Sequence, residues 1–109
     1  KKEKKKVDLT IKKLQECILN IDNKKNSKEK YMLKLVEKVG KLAKAIDEDA
    51  RMKEKKINGT IEGELQDVLY YVTCLANLYE IDLEECIYLK EEINCKKYDR
   101  ENVFKDEQD

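Results

Sequence analysis

The sequence GTIEGELQDVLYYVTCLANLY runs from Gly59 to Tyr79. Its apolar residues Ile61, Leu65, Val68, Leu69, Val72, Leu75, Ala76 and Tyr79 recur at helical spacing, whereas a strand would alternate at every second residue. The segment is therefore predicted as one buried helix, and it carries two acids. Glu64 and Asp67 sit three apart, so both carboxylates project from one face, beside the Leu65/Val68 stripe and away from the fully solvated side. An acid pair at the edge of a core needs an explanation.

The neighbouring segments follow the same period. Thr60 is placed to cap the Gly59–Tyr79 helix, with Glu62 in the first turn, where the helix dipole favours an acid. Upstream, Ser27 is placed to cap a helix whose stripe is Tyr31, Leu35, Val36, Val39, Leu42, Ala43, Ile46 and Ala50. RMKEKK, residues 51–56, keeps helix propensity but no apolar face, so this helix is expected to fray or run on into solvent, with Lys56 to Gly59 as linker. Val7, Ile11, Leu14, Ile18 and Ile21 predict a first helix over about residues 8–22, with Cys17 at the side of its stripe and NKKNS, residues 23–27, ending it. Asp82 to Glu85, DLEE, has capping-box spacing. The stripe after it, Leu83, Cys86, Ile87, Lys90, Ile93, Asn94, Lys97 and Tyr98, turns from apolar to polar. Four helices with short connections predict an all-α four-helix bundle with antiparallel neighbours.

Composition supports this class. Of 109 residues, 44% are charged and 40% hydrophobic, with no Pro, three Gly and no Trp, a balance that suits long helices with charged outer faces around one core. The expected organisation is a basic, flexible start over 1–6, one helical domain over 7–98 and a polar tail over 99–109. The formal net charge is zero, so bulk charge argues for neither nucleic acid nor anionic membrane as a partner. Cys17, Cys74, Cys86 and Cys95 show no C-x-x-C spacing and the chain has no His, which removes zinc-finger, haem-attachment and Cys–His nucleophile chemistry together. No stretch approaches the ~20 apolar residues of a membrane span. The basic start also lacks a signal peptide's apolar run, and a cytoplasmic protein with reduced thiols is expected.

Polar residues fall on the inner sides of three helices. Lys38 and Lys41 flank the Val39/Leu42 stripe as Glu64 and Asp67 flank theirs, and Lys90, Asn94 and Lys97 lie three and four apart, followed by Tyr98. Such spacing is common on any solvated helix, so it does not by itself define a site.

LVEKVGKLAKAI (35–46), GTIEGELQDVLYYVTCLAN (59–77), IDL (81–83) and KEEINCKKY (90–98) occur in an order that resembles the MazG-type nucleotide pyrophosphohydrolases. The resemblance covers about residues 30–98. It implies a MazG-like all-α bundle that pairs through these helices, giving a homo-oligomer of at least a dimer. The implied activity is hydrolysis of a nucleoside triphosphate between its α and β phosphates, giving monophosphate and pyrophosphate. A Glu-x-x-Glu pair on one helix and Glu-x-x-Asp on the next would hold Mg²⁺. A K-x-x-x-N-x-x-[RK]-Y pattern, here Lys90, Asn94, Lys97 and Tyr98, would contribute to the nucleotide site. Acids alone would repel a triphosphate, and Mg²⁺, which prefers hard oxygen ligands and carries waters, would bridge the two.

Glu64 and Asp67 match Glu-x-x-Asp, but the Glu-x-x-Glu positions are Lys38 and Lys41. Glu37 is the adjacent acid, and one residue along a helix turns a side chain by about a hundred degrees. Two acids facing two ammonium groups sum to about zero charge without an ion, so Lys38 and Lys41 are each expected within salt-bridge reach of Glu64 or Asp67. Two readings follow: an enzyme holding metal through Glu64 and Asp67, with Glu37 or a partner subunit's acid completing the catalytic set, or a catalytically impaired member that binds nucleotide or acts as an interaction module.

Overall fold

The computed structural model describes residues 3–106. Lys1, Lys2 and residues 107–109, the ends of the basic start and the acidic tail, lie outside them. Four helices follow in order: α1 (Ile11–Ile21), α2 (Lys28–Asp47), α3 (Ile61–Leu78) and α4 (Leu83–Lys97). The described residues contain no strand, only an isolated bridge between Lys53 and Lys56. None of the helices is long and apolar enough to cross a membrane.

Each helix begins at a side-chain cap. Thr10, Ser27, Thr60 and Asp82 accept from the backbone N–H three residues on, at Lys13, Lys30, Gly63 and Glu85. Each such cap contributes about 1 kcal/mol. Three of the four were legible from sequence. Thr10 was not, and it starts α1 at Ile11 instead of residue 8.

The end of α2 departs from expectation. Asp49 takes a left-handed conformation (φ 50°) and the Ala50 N–H donates to Ala45 O at 2.9 Å, which terminates the helix. RMKEKK does not prolong it but forms a tight reversal, closed by Lys56 N–H to Lys53 O at 3.0 Å, and Ile61 N–H reaches back to Ala50 O at 2.7 Å. Glu62 fastens this loop by accepting from Met52 N–H at 2.9 Å and from Arg51 Nε at 3.3 Å. Gly63 permits the approach, because a Cβ there would lie 2.3 Å from Ile57 O.

α3 packs between α2 and α1, and α4 rests chiefly on α1. The core is Ile18, Tyr31 and Cys74, flanked by Leu14, Tyr70, Tyr71, Leu75 and Leu78. α3 is therefore central, but only part of the face that its apolar period suggested is inward: Ala76 is buried and Leu75 packs on the core. Leu65, Leu69 and Tyr79 are exposed, while Glu64, Thr73, Cys74, Ala76 and Asn77 are buried. Helices on both sides of α3 cover its polar residues, and of these Thr73 and Asn77 are satisfied locally. Thr73 Oγ1 donates to Leu69 O at 2.8 Å, and Asn77 and Gln15 exchange bonds of 3.0 and 3.1 Å. Gln15 also donates to Ile81 O and accepts from Leu83 N–H, so one α1 side chain fixes the α3–α4 turn. Glu84 of α4 accepts from Lys12 N–H in the open first turn of α1, where the helix dipole favours an acid.

Candidate functional site

α2 and α3 are held antiparallel by the reversal between them, which brings Lys38 opposite Asp67. Lys38 Nζ lies 3.0 Å from Asp67 Oδ2, with side chains 20% and 37% exposed. The bond to Asp67, followed by the charges of Asp67 and Glu64, raises the Lys38 ammonium above its ordinary 10.5 against the opposing effect of burial. On the basic side, the stability that the Lys38 charge contributes is therefore present below that ordinary value and lost as pH climbs through the raised one.

Lys41 does not follow Lys38. It forms no ion pair among the described residues and instead lines a cavity of about 230 Å³ with Lys44, Glu48, Gly59 and Glu64. One turn along α2 from Lys38 the helices have room for a cavity, so an ammonium on a flexible stem stays beside Glu64 without bonding to it. Glu64 is only 8% exposed, and its Oε1 has no hydrogen-bond partner among the described residues. A buried, unpaired acceptor costs about 1–3 kcal/mol, so this oxygen marks the one strained point of the corner. Glu37 is turned toward Lys34, at 3.7 Å, and both are half-exposed. It is not among the residues that line the cavity at the corner.

Lys44 and Glu48 share the cavity with Glu64 and were not singled out from sequence. The signal was present: Lys44 continues the Lys38/Lys41 spacing by three, and Glu48 follows four later on the same face.

The polar residues of α4 open elsewhere. Lys90 and Asn94 line a separate cavity of about 300 Å³, walled by Leu83, Ile87 and Phe104. Lys97 places its Nζ 5.3 Å from the Tyr98 ring centroid, and Tyr98 is exposed. Within one chain, then, the acid corner and the α4 residues are not brought into one pocket.

The sequence as a whole matches a known domain: a model of the MazG nucleotide pyrophosphohydrolase domain covers residues 26–104. The chain belongs to the MazG nucleotide pyrophosphohydrolase family. Two crystal structures of iMazG from Vibrio DAT 722 resemble this MazG chain throughout their length. The N-terminally tagged form is 37% identical, with 84% of this chain aligned to 100% of that one at a TM-score of 0.74. The C-terminally tagged form is 36% identical, with 79% aligned to 98% at 0.72. No curated protein matches the sequence.

MazG proteins act on nucleoside triphosphates and generally use a divalent metal. The donor set of this MazG chain does not fit that ion. Mg²⁺ takes octahedral oxygen ligands, and here two acids remain where the motif has four. One of the two is already bonded to an ammonium. Among the described residues no group of three or more acids or cysteines converges to hold a metal. Glu64 Oε1 is, among the described residues, a buried oxygen without a partner, and Lys41 and Lys44 line the same cavity as Glu64.

Proposed function

We propose that this chain is a MazG-fold nucleoside triphosphate-binding protein whose pyrophosphohydrolase activity is impaired, because Lys38 stands where a metal-binding carboxylate belongs. The observation that carries the reading is the 3.0 Å contact of Lys38 Nζ with Asp67 Oδ2. A hydrolase of this kind needs divalent charge between its acids and the α–β bridge of the substrate. An ammonium neutralises Asp67 but offers no coordination site and carries no activatable water. Asp67 is thereby held, and Glu64 is left sharing its cavity with Lys41 and Lys44. Lys90 and Asn94 supply the charge and the amide through which a nucleotide is bound. Four free thiols agree with a reducing, cytoplasmic setting.

We assign the working form to a homo-oligomer of at least two chains. This is supported by the exposed apolar residues Leu33, Val36 and Val39 on α2 and Leu65 and Leu69 on α3. The separation of the acid corner from the α4 residues within one chain points the same way.

The test is pyrophosphate release from a panel of ribo- and deoxyribonucleoside triphosphates with Mg²⁺ or Mn²⁺, alongside calorimetric titration of both metals. The unmodified chain should show little turnover and weak metal binding. The double variant Lys38→Glu, Lys41→Glu should gain Mg²⁺ affinity and lose stability in metal-free buffer, where four acids repel one another. Robust Mg²⁺-dependent turnover by the unmodified chain would overturn the proposal and restore the enzyme reading.

A further inference from the structure

The segment after α4 does more than end the chain. Asp99 takes a left-handed conformation (φ 52°) and Arg100 N–H donates to Cys95 O at 2.9 Å, a reversal that sends residues 100–104 back along the helix. Glu91, only 4% exposed, pins the returning segment. Both of its oxygens accept from the Arg100 guanidinium, and one also accepts from Val103 N–H at 3.0 Å. Phe104 is thus set against α4, with its N–H bonded to Asn102 Oδ1 at 2.9 Å and its ring edge-to-face with Tyr88 at 6.4 Å. The strap leaves Phe104 51% exposed, lining the cavity that holds Lys90 and Asn94 and, on its other side, a cavity shared with Leu14, Leu69 and Tyr88.

That cavity, at about 300 Å³, has the make-up of a small-ligand site: apolar walls from Leu83, Ile87 and Phe104, and few polar groups. Neither the Lys90 ammonium nor the Asn94 amide bonds to another described side chain, so both are free for a ligand. An amide pairs with the donor and acceptor edge of a nucleobase, an ammonium suits phosphate, and a half-open aromatic face suits a base plane. A strap that served only to cover Ile87 and Tyr88 would bury its aromatic ring.

We propose that Phe104 is the surface on which the base of a bound nucleotide stacks, and that the Glu91–Arg100 clamp is the positioning device that holds it beside Lys90 and Asn94. This rests on the nucleotide-binding reading above and adds a specificity-determining residue outside the motifs that carried it.

The experiment compares binding of nonhydrolysable α,β-methylene nucleoside triphosphates with binding of inorganic tripolyphosphate, which has no base. Phe104→Ala and Phe104→Leu, the latter keeping apolar bulk without a π face, should each weaken nucleotide binding about ten-fold and leave tripolyphosphate affinity unchanged. Arg100→Ala should do the same by releasing the strap. Equal loss for both ligands would show the strap to be merely structural, and no loss for either would show Phe104 to be a bystander; each overturns the proposal while nucleotide binding stands. An unmodified chain that binds no nucleotide sinks the reading and the proposal together.

Discussion

Cys74 shows how a residue's chemistry is set by its surroundings. It is 1% exposed, and burial, reinforced by the charge of Asp22, pushes its thiol up to about 11. Its neighbours Asp22 and Tyr31 are bonded to each other at 2.6 Å, so no cation is at hand to favour a thiolate. Cys74 should therefore stay unmodified when the native protein is treated with a thiol reagent near neutral pH, and should react only once the chain is unfolded. Peptide mass spectrometry after timed labelling would decide it, and early modification of Cys74 would contradict this burial. The sequence placed the thiol inside a helical period, but its contact with Asp22, 52 residues away, is a product of tertiary packing that no local pattern encodes. The same limit explains Lys38 and Lys41. Spacing made the two lysines equivalent, and only the packing of α2 against α3 separates the one that bonds from the one that lines a cavity.

The helices themselves were readable because each is written in local chemistry: a Ser, Thr or Asp cap followed by a period of three and four. Their connections were less so. The reversal after α2 depends on Asp49 in a left-handed conformation and on the loop lying against Gly63, neither of which the helix-favouring RMKEKK announces. Gly63→Ala should destabilise the protein by about 1–3 kcal/mol, since the clash is with the backbone oxygen of Ile57, which cannot rotate away. Urea denaturation would measure it, and an unchanged midpoint would mean that the loop yields freely. The strap after α4 makes a second prediction, in pH. The Arg100 guanidinium, then the Val103 N–H, hold the Glu91 carboxyl below its ordinary 4.5. A depressed carboxyl contributes stability that is present above its unfolded value and lost as pH falls through the folded one. Thermal melts should accordingly drop on the acid side of 4.5, and Glu91→Gln, weaker at neutral pH, should flatten that drop. Identical acid limbs for both proteins would remove Glu91 from the account.

At the scale of the whole molecule the single chain is unusually open. Its radius of gyration is 17.0 Å, against about 13 Å for a compact domain of roughly a hundred residues. The extended residues 3–10 contribute to this, but so does α4, which leans on α1 and leaves other faces of the bundle uncovered. The apolar period of α2 had implied a core-facing stripe. In the structure its inner edge is buried at Tyr31 and half-buried at Leu35 and Leu42, while Val36, Val39 and Ile46 remain exposed. Sequence periodicity reports which face is apolar, not whether its partner belongs to the same chain. Met32, Leu33 and Val36 with Leu75 and Tyr79 line an apolar groove of about 690 Å³, larger than the cavities at the acid corner or on α4. Exposed apolar patches of this kind mark association surfaces, and an obligate interface resembles a domain core cut in half. Sedimentation at micromolar concentration should show a dimer or larger. Leu33→Glu with Val36→Glu, which puts two carboxylates into the groove, should shift the protein toward monomer and lower its melting temperature together, because for an obligate oligomer association and stability are one quantity. A monomeric unmodified chain at that concentration would refute the assignment, and a double variant that remained an oligomer would move the interface off α2.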